Sequence, residues 1–247
     1  MILAHAFDGG AQAVANILAP VLGHRLTLLR PEWLGQARWS QRLSEKGIAR
    51  TLLRWRGGHS LDGRQIGLVW NRTRLLPQAA FRASAAQDRD YAGAELHAMV
   101  SSWLAELGER VEPPIRRQAC VSPALHHLHW KAVASRCGLA LAAGPSAPED
   151  LPEDFSVLRT PMELWGPLMH GCPTAFTRAC HAMAAELGFP LLSLGFRGTL
   201  AAPLLCRVDA HPALLSPGEA QAVARWLSHR FDTPANANAR AIEEAIT

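Results

Sequence analysis

The most informative part of the sequence is residues 190–212, PLLSLGFRGTLAAPLLCRVDAHP. Two apolar runs, Leu191–Phe196 and Leu204–Val208, flank a short stretch rich in turn-forming residues, a pattern typical of a β-hairpin. Helices are predicted on both sides of it, over Ala175–Leu187 and over Pro217–Phe231. This part of the chain is therefore predicted to be a small α+β unit with a β-hairpin between helices.

The N-terminal part has a different pattern. Ile2–Ala6 is a short apolar run, Ala11–Leu22 carries apolar residues at helical spacing, and Arg25–Leu29 is a second apolar run. A strand, a helix and a second strand in this order form a βαβ unit, which favours a parallel sheet. The predicted fold class is therefore α/β, with an N-terminal parallel-sheet domain followed by the smaller α+β part.

Further elements follow between these two regions. Ile66–Trp70 is predicted to be a buried strand, and a long helix is predicted to begin at Asp88. Ser122 and Pro123 suit the N-cap and first turn of another helix, which ends at Cys137. The predicted domain bounds are 1–118 for the parallel-sheet domain, 119–232 for the α+β part and 233–247 for a loosely held tail.

Composition excludes several classes of protein. No run of about 18 apolar residues is free of charge, so no transmembrane helix is expected. The net charge of +4 is dispersed along the chain, which argues against nucleic-acid binding. The five cysteines are scattered and odd in number, as in proteins that keep reduced thiols in the cytoplasm. We therefore expect a cytoplasmic protein that binds neither nucleic acid nor membrane.

The order of several motifs resembles the ATP-grasp ligases, especially the bacterial branch that modifies ribosomal peptides or joins amino acids. The matching motifs are the opening strand 2–8, Val69-Trp70-Asn71-Arg72 ahead of a helix with Glu95, Val111-Glu112-Pro113-Pro114, and Leu194-Gly195-Phe196-Arg197 followed by Leu205-Cys206-Arg207-Val208-Asp209. The resemblance covers most of the chain. It implies a pre-ATP-grasp-like domain over 1–118 and an ATP-dependent carboxylate–amine ligase that uses magnesium.

The sequence departs from that family at the residues that would bind the nucleotide. Where the family carries Glu-x-Asn to hold magnesium, this chain reads Arg207-Val208-Asp209, so Asp209 is the one remaining oxygen ligand. The family places two lysines on the phosphates, but Lys46 and Lys131 are the only lysines here. Residues 139–174 are too few for the family's nucleotide-binding lobe, and no glycine-rich phosphate loop replaces it. The ligase site is therefore predicted to be degenerate.

Arginines at strand ends form the preferred candidate site. Arg72 and Arg74 follow the strand at Ile66–Trp70, whereas Arg197 and Arg207 lie on the hairpin. Guanidinium groups suit carboxylates and phosphates, so these four side chains, with Asp8 at the end of the first strand, are predicted to bind an anionic substrate. The alternatives are surface ion pairs with nearby aspartates and, for Asp8, the capping of a helix.

Histidines and cysteines offer weaker candidates. His126 and His129 are three residues apart in a predicted helix, so they would share one face and form a candidate metal site; a partly exposed histidine face is the alternative. The second group consists of His170, Cys172, Cys180 and His181. Its spacing does not match structural zinc sites, and buried thiols explain it better.

Three hypotheses for function follow. The first is a degenerate ATP-grasp-like pseudoenzyme that needs no cofactor and binds a peptide or amino-acid-like anion, a partner protein or a second copy of itself, in a biosynthetic pathway. The second is an active ATP-dependent carboxylate–amine ligase with an unconventional nucleotide site, which would use ATP and magnesium. The third is a metal-dependent enzyme that uses the His126 and His129 cluster.

Overall fold

The structure is a computed structural model that describes residues 1–45, 49–76, 81–114, 125–143, 153–166, 168–169 and 172–232. The chain divides into two units, the first made of Met1–Ser122 with Leu227–Thr247 and the second of Pro123–Trp226. The predicted tail at 233–247 lies outside the described residues. None of the helices in the described part of the chain has the length and apolar character needed to span a membrane.

The first unit contains two sheets. Its elements are β1 (Ile2–Leu3), α1 (Gly9–Leu22), β2 (Leu28–Leu29), α2 (Pro31–Leu34), β3 (Arg38–Leu43), β4 (Ala49–Arg54), β5 (Ser60–Asp62), β6 (Val69–Asn71), α3 (Ala86–Leu107) and β7 (Val111–Glu112). One sheet is parallel in the order β2-β1-β6-β7, and the other is antiparallel in the order β3-β4-β5. The predicted βαβ unit and parallel sheet are therefore confirmed.

The strands of the parallel sheet are shorter than the apolar runs that predicted them. The run Arg25–Leu29 forms strand only at its last two residues, because Gly23–Arg25 is a 3-10 turn that leads the chain out of α1. The run Ile66–Trp70 joins the sheet only from Val69, although Ile66 and Leu68 are buried as well. The apolar runs mark the residues that are buried, and more residues are buried than pair with a neighbouring strand.

The antiparallel meander β3–β5 is absent from the sequence-based prediction. Five of the six residues of β3 are exposed, so this strand lacks the alternation of buried and exposed residues that marks a half-buried strand. Its single inward side chain of note, Trp39, meets the buried Trp103 edge to face at 5.9 Å. Strand β3 forms because it pairs with β4, and the sequence of β3 alone does not indicate that pairing.

The second unit is built around one antiparallel sheet. Its elements are α4 (His127–Arg136), β8 (Phe155–Arg159), β9 (Leu164–Trp165), α5 (Thr174–Leu187), β10 (Leu192–Thr199), β11 (Ala202–Asp209) and the first part of α6 (Pro217–Asp232). The strand order is β11-β10-β8-β9. β10 and β11 form the predicted hairpin, with Thr199 paired to Ala202 across a two-residue turn. The hairpin and the helices on both sides of it are therefore confirmed.

Helix α4 begins later than predicted. The expected start at Ser122 and Pro123 lies outside the described residues, but His126 has an extended backbone (φ −62°, ψ 129°) and is the N-cap. A helix running unbroken from Ser122 to Cys137 is therefore wrong. His126 precedes the helix and His129 lies in its first turn, so the two histidines are not both residues of one helical face.

Strand β10 is the centre of the second unit's core. Residues 192–196 are all buried, and Phe196 stacks on Phe155 with ring centroids 5.3 Å apart. Phe176 of α5 packs on the same ring at 5.1 Å, so the strand is covered by side chains from both the sheet and the helix. The apolar run that predicted the hairpin is apolar because this strand has no solvent face.

Replacement of Leu194 by alanine tests this central role. Leu194 is 0% exposed, so Leu194→Ala is expected to lower the free energy of unfolding by about 2–5 kcal/mol through lost burial and the cavity left behind. Leu215, 91% exposed in the same unit, is the matched control, and Leu215→Ala is expected to change stability by less than about 0.5 kcal/mol. Urea unfolding measures both; equal effects would contradict the assignment of β10 as the core.

Candidate functional site

Asp8 and Arg72 meet at the carboxyl end of the parallel sheet. Arg72 follows β6, and its Nε and Nη2 donate to Oδ2 and Oδ1 of Asp8 at 2.8 and 3.2 Å. Asp8 also caps α1, since its Oδ1 accepts from Ala11 N at 2.9 Å. The arginine side chain is 3% exposed and stacks over Trp70 at 5.0 Å. Asp8 therefore serves as the predicted helix cap and also as the counter-charge of a buried arginine.

The charge of Arg72 determines the ionisation of Asp8. Burial raises the pKa of Asp8, but the hydrogen bonds and charge of Arg72, the capping bond from Ala11 and the charge of Arg74 together lower it below its usual value. The carboxylate is therefore ionised at neutral pH. Arg74 itself is exposed, two residues further along the chain.

A second polar pair, which sequence reasoning missed, lies at the same edge. His5 follows β1 and is buried, and its Nδ1 is 2.9 Å from Glu32 Oε1 in α2, just after β2. Burial raises the pKa of Glu32, but the hydrogen bond and charge of His5 and the charge of Arg30 lower it overall. The criterion that singled out Asp8 would also have found this pair, because both His5 and Glu32 are polar residues that closely follow neighbouring parallel strands.

Arg207 on the hairpin is also held by a carboxylate. Its Nε and Nη2 donate to Oε2 and Oε1 of Glu153 at 3.1 and 2.8 Å. Arg207 pairs with Gly195 on β10, and a side chain at that glycine would collide with the Glu153 carboxylate. The glycine therefore leaves room for Glu153 to lie across the strand and meet Arg207.

The end of β11 does not fit magnesium. Asp209, the one oxygen ligand expected there, already accepts a hydrogen bond from His211 N at 2.7 Å. Arg207, two residues earlier, adds a positive charge where magnesium requires oxygen ligands. Among the residues that the structure describes, no three His, Cys, Asp or Glu side chains are grouped as a metal site. The donor set disagrees with the magnesium site that the resemblance implies.

The four arginines of the predicted anion pocket belong to different units. Arg72 and Arg74 lie in the first unit, and Arg197 and Arg207 lie in the second, on β10 and β11. The carboxylates of Asp8 and Glu153 already occupy the forks of Arg72 and Arg207. The pocket formed by all four remains a prediction.

The histidine and cysteine candidates are separate features. His126 stacks on His127 with centroids 4.7 Å apart, ahead of His129 in α4. His170 lies outside the described residues. Cys180 is buried in the core, and burial, followed by the charge of Cys172, raises the pKa of its thiol to about 12. Cys180 is therefore an inert buried thiol, as expected.

The second unit has a groove of about 950 Å³ along α5 and the tip of the hairpin. Small and apolar side chains form much of its wall: Ala175, Ala179 and Ala182 of α5, with Leu200, Pro203 and Leu204 of the hairpin. The segment after α4 closes one side, since Leu205 N donates to Ala140 O at 2.8 Å and Ala142 N donates to Leu205 O at 3.0 Å. The groove is thus held by backbone pairing as well as by packing.

Charged residues line the rim of this groove. Glu186 of α5 pairs with Arg136 of α4 and accepts a long hydrogen bond from the Cys137 thiol at 3.6 Å. Burial and then Glu186 raise the pKa of Cys137, so it remains a thiol. Arg178 is exposed and makes no ion pair with any residue in the described ranges. The groove therefore combines an apolar wall with an available cation.

Solved structures of ATP-grasp ligases share this fold. The macrocyclase MdnC of Microcystis aeruginosa MRC, bound with precursor peptide MdnA, matches with a TM-score of 0.72 at 11% identity, over 92% of this chain and 98% of that chain. A RiPP-associated ATP-grasp ligase of Chryseobacterium gregarium, in complex with ADP and a leader and core peptide, matches with a TM-score of 0.68 at 10% identity, over 93% and 96%. The macrocyclase MdnB of Microcystis aeruginosa MRC matches with a TM-score of 0.61 at 16% identity, over 92% and 97%.

The sequence itself has no such match. No family model matches it, and no curated protein matches it. At these identities the likeness shows the fold: the chain has the fold of RiPP-associated ATP-grasp ligases, and the resemblance predicted from its motifs is confirmed at that level.

Replacement of Asp8 by asparagine separates its two structural roles. Asparagine keeps a capping oxygen for α1 but leaves Arg72 buried without a counter-charge, so the free energy of unfolding at pH 7 is expected to fall by about 3–5 kcal/mol. Asp62→Asn is the control, because the arginine partners of Asp62 are about half exposed, and a loss below about 1 kcal/mol is expected.

The same variants give a prediction for the free energy of unfolding at acid pH. Because the folded-state pKa of Asp8 is lowered, its stabilisation is present above the unfolded pKa of about 3.9 and is lost as the pH falls through the folded value. The gap between wild type and Asp8→Asn should therefore narrow as the pH falls from 7 to about 3. Chemical unfolding across this range measures the gap, and a constant gap would show that the ion pair is not its source.

Proposed function

We propose that this chain is a degenerate ATP-grasp-like protein that binds a peptide in a peptide-modifying pathway and does not itself ligate it. The observation that carries this proposal is the ion pair between Arg207 on the hairpin and Glu153, which precedes β8. It occupies the position where the resemblance implies a glutamate that holds magnesium. A cation there would have to displace the guanidinium from Glu153 and then lie beside it.

The geometry around Arg207 supports this conclusion beyond a single substitution. Gly195 provides the space that Glu153 needs, and both Glu153 oxygens contact the guanidinium. Bidentate pairing of this kind satisfies the carboxylate and leaves it poorly suited to bind a metal. The second unit thus keeps the hairpin as structure and replaces a metal-binding function with an internal ion pair.

The groove on α5 is the proposed peptide site. Of the solved structures with this fold, MdnC is bound with a precursor peptide and the Chryseobacterium gregarium ligase is in complex with a leader and core peptide, which supports a peptide ligand for this chain. The alanine wall would accept apolar side chains, and Arg178 at the rim would pair with an acidic residue of the peptide. An apolar peptide that carries a carboxylate fits the peptide or amino-acid-like anion expected from the sequence.

The proposed place of action is the cytoplasm. The cysteines in the described ranges, Cys137, Cys172, Cys180 and Cys206, are free thiols. Thiols of this kind persist in reducing compartments.

Nucleotide binding distinguishes this proposal from an active ligase. Isothermal titration of ATP, with and without magnesium, is expected to show no saturable binding up to about 1 mM, because the described residues present no magnesium donor set. Magnesium-dependent, saturable binding at micromolar ATP would overturn the proposal and establish the ligase with an unconventional nucleotide site. Bound metal in elemental analysis of the purified protein, lost in His126→Ala, would favour the metal-dependent enzyme.

The groove is tested with peptides selected from a random display library of about 20-residue sequences, long enough for a short amphipathic segment to fill it. Ala182 is exposed and lines the groove, so Ala182→Trp is expected to weaken binding of the selected peptide about tenfold or more, measured by fluorescence anisotropy. Ala185 is exposed on the same helix but does not line the groove, so Ala185→Trp is the matched control. Equal weakening by both variants, or failure to enrich any peptide, would place the peptide site elsewhere or remove it.

A further inference from the structure

Four arginines share the solvent side of the meander β3–β5. They are Arg38 and Arg42 of β3 with Arg50 and Arg54 of β4, and all four are exposed. The strand register places Arg38 opposite Arg54 and Arg42 opposite Arg50. Residues directly opposite each other in an antiparallel pair lie on the same side of the sheet, with Cβ atoms about 5 Å apart. The four side chains therefore form two like-charged pairs on one side of the meander, called here the arginine face.

The other side of the meander packs inside the first unit. Thr51 and Leu53 of β4 are 0% exposed, and Trp39 of β3 meets the buried Trp103 of α3. Side chains alternate between the two sides of a sheet, so burial of this side directs the arginines to solvent. The core of the unit is formed without them, and the arginine face is open to a ligand.

The arginine face carries little compensating negative charge. Asp62 is the one acid on the three strands, and it pairs with Arg50 at 2.9 Å and with Arg64, after β5, at 3.0 Å. The other three arginines of the face make no ion pair with any residue in the described ranges. Like charges directly opposite each other destabilise a sheet. An anion bound between the paired guanidinium groups would remove this repulsion.

The spacing of the two pairs indicates the shape of the anion. Arg38 and Arg42 are four residues apart on one strand, a distance of about 13 Å at the rise of a β-strand. Side chains four residues apart in an extended peptide lie on one side of that peptide at the same distance. Guanidinium groups bind carboxylates through two parallel hydrogen bonds. An extended peptide with acidic side chains at this spacing would place one carboxylate on each arginine pair.

Nucleic acids and membranes fit the arginine face less well. Single-stranded nucleic acids stack their bases on aromatic side chains, but Trp39 lies on the buried side, and β4 and β5 carry no aromatic residue. A membrane-binding surface inserts exposed apolar side chains, whereas Leu52, the apolar residue between the two pairs, is half-buried. The charge and spacing of the face therefore favour an acidic polypeptide.

We propose that the arginine face docks an extended acidic segment of a partner polypeptide. Acidic side chains four residues apart in that segment contact the Arg38–Arg54 pair and the Arg42–Arg50 pair. The second pair already has Asp62 beside it, so the Arg38–Arg54 pair makes the larger contribution to binding. The docking surface lies within the first unit, and it depends neither on the proposed peptide groove nor on the loss of ligation.

Fluorescence anisotropy with labelled peptides tests this docking on the full chain. The probe is a peptide of about 12 residues that alternates glutamate and threonine, so that its glutamates share one side of an extended chain. Saturable binding is expected at about 100 µM or tighter in about 50 mM salt, with a loss of about tenfold in about 500 mM salt. The same peptide with glutamine in place of glutamate should bind at least about tenfold more weakly.

The double variant Arg38→Gln with Arg54→Gln removes the pair that has no acid beside it. It is expected to weaken binding of the probe about fivefold or more. The urea midpoint should stay the same or rise, because two opposed like charges are lost. The matched control is Arg25→Gln with Arg82→Gln, which removes the same net charge from exposed arginines of the first unit outside the meander. Its affinity should stay within about twofold of the wild type.

Several results would overturn the proposal. Absence of saturable binding up to about 1 mM, or wild-type affinity in the Arg38 and Arg54 variant, would show that the arginines only keep the outer strand from pairing with other chains. An equal loss in both double variants would assign binding to net charge.

Two other polyanions are measured beside the peptide. They are a DNA duplex of about 12 base pairs and vesicles with about one-third phosphatidylserine. Either is expected to bind more weakly than the acidic peptide. Tighter binding of the duplex or the vesicles, lost in the Arg38 and Arg54 variant, would assign the face to a different class of partner and contradict the proposal.

Discussion

Arg72 lies almost wholly inside the first unit, and a guanidinium that cannot be deprotonated is stable there only opposite a carboxylate. Asp8 provides that carboxylate while it caps α1, so a single side chain joins the start of the helix to the end of β6. The constraint extends to Trp70, whose ring lies under the guanidinium. The edge of the parallel sheet, with its remaining polar groups, is organised around this charge.

A second ion pair joins Arg207 of the hairpin to Glu153, and it bears on whether this part of the second unit could bind a metal. Arg207 and Glu153 lie across β10 in the space left by Gly195, and half-exposed partners of this kind contribute modestly to stability. Their significance is that the carboxylate of Glu153 is engaged by Arg207, two residues before Asp209, where the resemblance implies a glutamate that holds magnesium. The core of this unit does not depend on that pair, because Arg207 and Glu153 are partly exposed whereas residues 192–196 of β10 are buried.

The two units differ in the features that could contact a ligand. The second unit has an apolar, alanine-walled groove with Arg178 at its rim, and this groove is the proposed peptide site. The first unit holds the pair of the buried His5 with Glu32 at the carboxyl edge of its parallel sheet, with Nδ1 of His5 2.9 Å from Oε1 of Glu32. The proposal of binding without ligation rests on the ion pair between Arg207 and Glu153 near the end of β11.

The sequence by itself determined the α/β class, the βαβ start and the hairpin between helices, because apolar periodicity follows directly from which faces are buried. It also singled out Asp8, Arg72 and Arg207, since strand ends can be located from the apolar runs. It missed the exposed strand β3, whose residues lack the pattern of a half-buried strand. It also misplaced the start of α4, because the predicted cap at Ser122 precedes the observed N-cap, His126. Only the tertiary structure decided that Asp8 meets Arg72, that Glu153 meets Arg207 and that His5 meets Glu32. These partners are separated by 64, 54 and 27 residues, and such pairing depends on how the sheets assemble.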